Sequence, residues 1–111
     1  MTFESSTRAL ERRLRTAFEE GLRQSMQEMR EEAQDNAPVQ TGALRDSADD
    51  DVIVGRRFLT GEVTFNVPYA AIVHEDPERS SRPNFLRDAA DRIARDKTIQ
   101  REIQRATRRI P

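Results

Sequence analysis

Apolar and polar positions alternate with two different periods along this chain, and the change of period divides it into segments. From Leu10 to Ala33 the apolar residues Leu10, Leu14, Ala17, Phe18, Leu22, Met26, Met29 and Ala33 recur at spacings of three and four. That spacing places them on one stripe of a helix. Ser5 or Ser6 is expected to cap its start by accepting a backbone N–H. Pro38 disfavours helical geometry at Ala37, so the helix is expected to end near Asp35-Asn36. The predicted helix, residues 6–35, is too long for a domain of this size, so part of it is expected to lack a partner within its own chain. Gly21 interrupts the stripe and reads as a tolerated surface glycine; a close backbone approach to a neighbour is the sharper reading.

The period then falls to two. Val63, Phe65 and Val67 alternate with Glu62, Thr64 and Asn66, as in a half-buried strand. The β-branched run Val52 to Phe58 precedes them, with Gly55 a candidate bulge. Leu59-Thr60-Gly61 is short enough to be the turn of a hairpin over residues 50–67. Between helix and hairpin, residues 36–48 read as a loop with a short turn at Gly42 to Arg45, capped by Thr41. The acidic run Asp49-Asp50-Asp51 reads as a solvated connector. Two strands alone are marginal in water, so the hairpin is expected to rest on a helix and to take strands from adjacent subunits along its edges.

Pro68 ends the second strand, and Tyr69, Ile72 and Val73 suggest a short helix over 68–75. Residues 76–83 are polar and bracketed by prolines, as a loop would be. Asn84 is a good helix cap, and Leu86, Ala89, Ala90 and Ile93 begin a stripe over a C-terminal helix, 84–109. Ile99, Ile103, Ala106 and Ile110 continue it after a slip of phase around Lys97-Thr98, which signals a kink or a second face. The fold class expected is α+β in a single domain, 1–111: a long N-terminal helix, a central antiparallel hairpin or small sheet, and a C-terminal helix.

Composition sharpens this picture. Of the 111 residues only 35% are hydrophobic, and 35% are charged. Typical domains carry about 45–50% apolar residues and about 25% charged ones. The core must therefore be small, with the fold either extended or completed by neighbours. Nineteen basic residues, eighteen of them Arg, face 20 acidic ones, for a net charge of −1. A non-specific nucleic-acid binder needs a basic excess. The Arg-rich stretch from Arg101 to Arg109 nevertheless keeps a small nucleic-acid-binding or regulatory protein as the alternative. There is no cysteine, and hence neither a disulfide nor a thiolate metal site. No apolar run is long enough to span a bilayer, and the N-terminus does not read as a signal peptide.

Candidate chemistry is sparse. His74 is the single histidine, and neighbouring Glu75 and Asp76 complete no ligand pattern for a metal. Ser47, His74 and Asp76 could be drawn as a triad, but no nucleophile elbow surrounds the serine. No Gly-rich loop suits a phosphate. No cofactor, metal or catalytic residue is expected.

Three stretches carry a resemblance: Ala-Pro-Val-Gln-Thr-Gly-Ala-Leu-Arg-Asp-Ser over 37–47, Pro-Tyr-Ala-Ala-Ile-Val-His-Glu over 68–75, and Arg-Pro-Asn-Phe-Leu-Arg-Asp-Ala over 82–89. In this order they resemble the gene-product-ten-like tail-component family of tailed phages, its neck and minor-tail proteins, over residues 6–95. Gln40, Asn84 and Asp88 depart from the family's usual Asp, uninterrupted Pro-Phe, and Pro. No Gly follows Glu75, where the family commonly has one. The resemblance implies a virion protein made in the host cytoplasm and placed at the head–tail junction or head-proximal tail. It implies no enzyme. It also implies a cyclic homo-oligomer, six-fold in preference to twelve-fold, that contacts other neck and tail proteins. DNA would only pass through the lumen, without sequence-specific binding, and no membrane is involved. The structural or interface candidates are Pro38, Thr41, Gly42, Leu44, Pro68, Tyr69, Ala70, Glu75, Pro83, Phe85 and Leu86.

Overall fold

A computed structural model describes residues 3–37, 42–67 and 84–110. Helix α1, Phe3–Asn36, is the spine. Its 34 residues make a rod of about 51 Å at 1.5 Å per residue, and the molecule measures 63 × 25 × 19 Å. The helix begins ahead of the expected cap, so Ser5 and Ser6 lie inside it. A one-turn helix α2, Ala43–Asp46, follows. Strands β1, Ala48–Val54, and β2, Leu59–Phe65, pair antiparallel. Helices α3, Phe85–Arg95, and α4, Thr98–Thr107, complete the order. The fold is α+β, as the periodicity predicts. The hairpin and the α3–α4 pair each return along α1. The expected short helix over 68–75 and loop over 76–83 lie outside the described residues.

The hairpin turn is not where the glycine pattern placed it. Gly55 N–H donates to Phe58 O at 2.9 Å, which closes the turn over Gly55–Phe58, and Leu59, Thr60 and Gly61 belong to β2. Gly61 is glycine because it lies against α1. A Cβ there would stand 2.6 Å from Met26 Sδ and 3.2 Å from Leu22 Cδ1. The acidic run is not a connector either, since Asp49, Asp50 and Asp51 all lie within β1. Asp50 turns inward and pairs with Arg30 of α1, both side chains partly buried.

Register decides which backbone groups of the sheet are used. Bonds at Gly55–Phe58 and from Asn66 N–H to Ser47 O fix the hydrogen-bonded pairs as Asp49·Thr64, Asp51·Glu62 and Ile53·Thr60. The N–H groups of Asp50 and Val52 therefore point to the outer edge of β1. Each is taken by the preceding carboxylate, Asp50 N–H donating to Asp49 Oδ1 at 3.0 Å and Val52 N–H to Asp51 Oδ1 at 2.8 Å. Charged, self-satisfied edges resist pairing with other strands.

The predicted C-terminal helix is in fact two. Asp96 closes α3, and Lys97 takes a left-handed conformation, φ 53°, where the phase of the stripe slips. The turn lets both halves face α1. Asn84 likewise precedes α3 at φ 61° and makes no side-chain cap bond, so it acts through its tolerance of that backbone region and not as a side-chain cap.

Ten apolar side chains are buried among the described residues, and five of them are alanine, so close approach replaces bulk. Ala33, Ala37, Leu44, Phe85 and Ala89 form the main cluster, with Met29, Phe65, Val67 and Leu86 packed on it. Phe65 and Phe85 meet edge to face, centroids 5.0 Å apart. At the other crossing Gly21 faces α4, where an added Cβ would lie 2.7 Å from the Ile103 backbone. Gly21 is thus buried in a helix contact and is not a surface glycine.

Candidate interaction surface

Four of the sequence candidates are described, and they gather at one end of the molecule. Gly42 precedes α2 with φ 77°, a backbone region that glycine enters without steric cost. Leu44 and Phe85 are buried side by side with Ala33 and Ala37, and Leu86 packs on them. The turn is tied down by polar bonds: Gln34 Nε2 donates to Arg45 O at 2.9 Å and Arg45 Nε to Gln34 O at 3.1 Å. Ser47 Oγ donates to Leu44 O at 2.7 Å and accepts from Asn66 N–H at 3.2 Å. Ser47 thus joins α2 to β2. The motif residues in view hold the end of α1, the hairpin and α3 together. Pro38, Thr41, Pro68, Tyr69, Ala70, Glu75 and Pro83 lie outside the described residues, as do His74 and Asp76.

The α1–α3–α4 seam is ionic. Arg92 reaches Glu28 at 3.2 Å, Asp96 at 3.1 Å and Glu32 at 3.4 Å. Partial desolvation works against its charge, but hydrogen bonds donated to Glu28 and Asp96 and the Glu32 carboxylate prevail, holding the guanidinium above its ordinary value. Arg101, Arg105 and Arg109 of the Arg-rich stretch meet carboxylates of Glu28, Glu102 and Glu20 respectively. Much of the positive charge that suggested a nucleic-acid surface is therefore engaged within the chain. No cluster of three or more His, Cys, Asp or Glu able to hold a metal ion occurs among the described residues.

Exposed apolar surface collects at the opposite end, and motif reasoning did not single it out. Leu10 is 50% exposed, Phe18 43% and Phe58 78%. Phe18 and Phe58, with Leu14 and Leu59, line a groove of about 310 Å³ between α1 and the hairpin tip, rimmed by Glu11, Arg15, Arg56 and Arg57. Arg15 donates to Gly55 O and so fastens the tip to the helix. The sequence signal was present in the stripe of α1: Leu14 and Phe18 belong to it and face the hairpin tip. A second cleft, about 430 Å³, lies between α1 and the end of α4 and includes Arg12, Arg13, Thr16 and Arg109.

Charge is divided along the long axis. In residues 3–22, 54–59 and 99–110, basic side chains outnumber acidic ones ten to five; in 23–37, 42–53, 60–67 and 84–98, acidic outnumber basic twelve to seven. The apolar groove sits in the basic half. The outer face of the hairpin, with Asp49, Asp51 and Glu62 exposed, belongs to the acidic half.

No curated protein and no solved structure matches this chain. A family model does match, that described as "Bacteriophage HK97-gp10, putative tail-component", over residues 2–74. The match covers α1, the Thr41-Gly42 turn, the hairpin and the Pro-Tyr-Ala stretch, which is well over half of the chain. It is independent of the third resembling stretch, at 82–89. That match spans the long helix and the hairpin, and the chain belongs to the HK97 gp10-like family of phage tail components.

Proposed function

We propose that this tail-component chain works at the head–tail junction or as a tail-completion protein, by binding other subunits and not by catalysis. Its partners are further copies of itself in a closed ring, six-fold in preference to twelve-fold, and adjoining neck and tail proteins. The observation that carries this reading is the uncovered groove at Leu14, Phe18 and Phe58. A thin, alanine-rich core leaves large apolar side chains at the surface, and clustered exposed apolar groups mark protein contacts. An elongated body also suits a wedge in a ring, where each subunit touches its neighbours along a flank. Head-to-tail contacts between identical chains close into rings when the rotation allows. In this reading the lumen passes DNA without reading its sequence.

Imaging of assembled particles with this chain labelled tests the proposal directly. The label is expected as a closed ring at the head–tail joint, and particles lacking the chain are expected as separate heads and tails. Normal infectious particles formed without it would refute the role. The alternative, a small nucleic-acid binder, predicts DNA affinity falling steeply with salt; the internal ion pairs of Arg101, Arg105 and Arg109 weigh against it.

A further inference from the structure

We infer that copies of this chain join head to tail through two particular surfaces: the apolar groove and arginine tip of one copy seat on the outer face of the hairpin of the next. The inference rests on the self-associating reading above and adds to it which faces meet.

Electrostatics select the arrangement. Among the described residues, the two halves carry opposite charge excess along a 63 Å axis. A contact of either end with the same end of another copy would bring like charges together, whereas tip against hairpin face brings opposite ones together, and repeated in one direction that contact runs head to tail. On the donor side, Arg56 and Arg57 are exposed and have no ion-pair partner among the described residues; they flank Phe58, the most exposed of the large apolar side chains. On the receiving side, register places Asp51 directly opposite Glu62 on the outer face. Like charges directly opposite on paired strands destabilise the pair. Arg23 offsets this only from 3.8 Å, and neither Asp49 nor Glu62 has an ion-pair partner among the described residues. Two incoming guanidiniums relieve that repulsion. Asp49 and Asp51 each spend Oδ1 on the strand edge and keep the second oxygen for a partner. Ile53, 49% exposed on the same face, supplies the apolar contact for Phe58.

A second copy is the occupant, in preference to another acidic protein, because both members of the complementary pair belong to this chain. Uncompensated, each surface costs the lone subunit either exposed hydrocarbon or unrelieved repulsion. The head-to-tail contact removes both at once.

Sedimentation and light scattering of the full chain provide the test, with circular dichroism to verify folding. Arg56→Glu with Arg57→Glu reverses the tip, and Asp51→Arg with Glu62→Arg reverses most of the face. Either double variant alone is expected to weaken self-association by at least ~10-fold, since desolvated charge pairs at interfaces are commonly worth that much or more. An equimolar mixture of the two is expected to restore assembly with strict alternation, because each reversed surface then meets its reversed counterpart. Phe58→Ser, which changes no charge and lies outside the buried core, is expected to weaken association independently. If the wild-type chain assembles but none of these variants affects it, the assigned surfaces are wrong while the ring reading stands. A wild-type chain monomeric at millimolar concentration that assembles only on other tail proteins overturns the self-contact. A chain that associates with nothing overturns the ring reading too.

Discussion

Gly21 offers the sharpest test of how the helices pack. Replacing glycine by alanine inside a helix ordinarily adds about 1 kcal/mol of stability by propensity. At Gly21 the new methyl would sit 2.7 Å from Ile103 N, Cα and Cγ1, roughly 1 Å inside normal carbon contact distance. Two of the three atoms are backbone, so no rotamer change clears them, and α4 must move away from α1 as a body. Overpacking costs about 1–3 kcal/mol, and contact with two backbone atoms puts this site in the upper part of that range, about 2–3 kcal/mol. Set against the propensity gain, Gly21→Ala is expected to destabilise by roughly 1–2 kcal/mol, with Gly21→Val worse because its branches meet the same atoms. For a domain near this size each kcal/mol lowers the melting temperature by about 4–8 °C, readable by circular dichroism or calorimetry. Gly61→Ala is the comparison: there the methyl meets only side-chain atoms, of Met26 and Leu22, which can shift where backbone cannot, so the loss is expected to be smaller. A Gly21→Ala chain as stable as wild type, or more stable, would refute the close α1–α4 crossing.

Three further outcomes are expected. Phe85→Ala, which empties a fully buried site beside Leu44 and Phe65, is expected to cost about 3–5 kcal/mol, and denaturant titration should show the domain close to unfolded. Lys97→Gly relieves the left-handed backbone at φ 53° and is expected to raise stability by up to about 1 kcal/mol; a drop would mean that the lysine side chain supports the turn. Arg92→Met leaves Glu28, Glu32 and Asp96 without their shared cation and is expected to lose about 1 kcal/mol, discounted because all four side chains remain partly in water. Added salt should shrink the difference between variant and wild type.

Long periodic segments were legible in the sequence because one physical demand, burial of a stripe or a face, governs them. The stripe of α1 and the alternation through Val63 and Phe65 foretold the long helix and the second strand. The glycines misled because one residue type answers several demands. Gly61 reads as a turn former, yet it is there so that β2 can lie against Met26 and Leu22; Gly21 reads as tolerated, yet it permits Ile103 to approach. Three aspartates in succession suggest a connector, whereas in β1 they alternate between an inward pair with Arg30 and outward carboxylates that bond the strand edge. At Lys97 the phase slip was visible, but a kink and a second face predict the same slip, and only the left-handed turn shows that both halves face one helix. The docking groove was half legible. Leu14 and Phe18 could be found as members of the stripe, while Phe58 joins them only once the hairpin has folded back along α1.

The carboxylates of Asp49 and Asp51 along β1 set a limit on how this hairpin can be extended. A ribbon with two central N–H groups of one flank already bonded to its own side chains offers the β2 side as its readier edge. Recruiting one foreign strand there would cover it, but open-ended stacking needs two receptive flanks in every layer. Crowded copies are therefore less prone to run their sheets together along β1, and two aspartates supply that resistance.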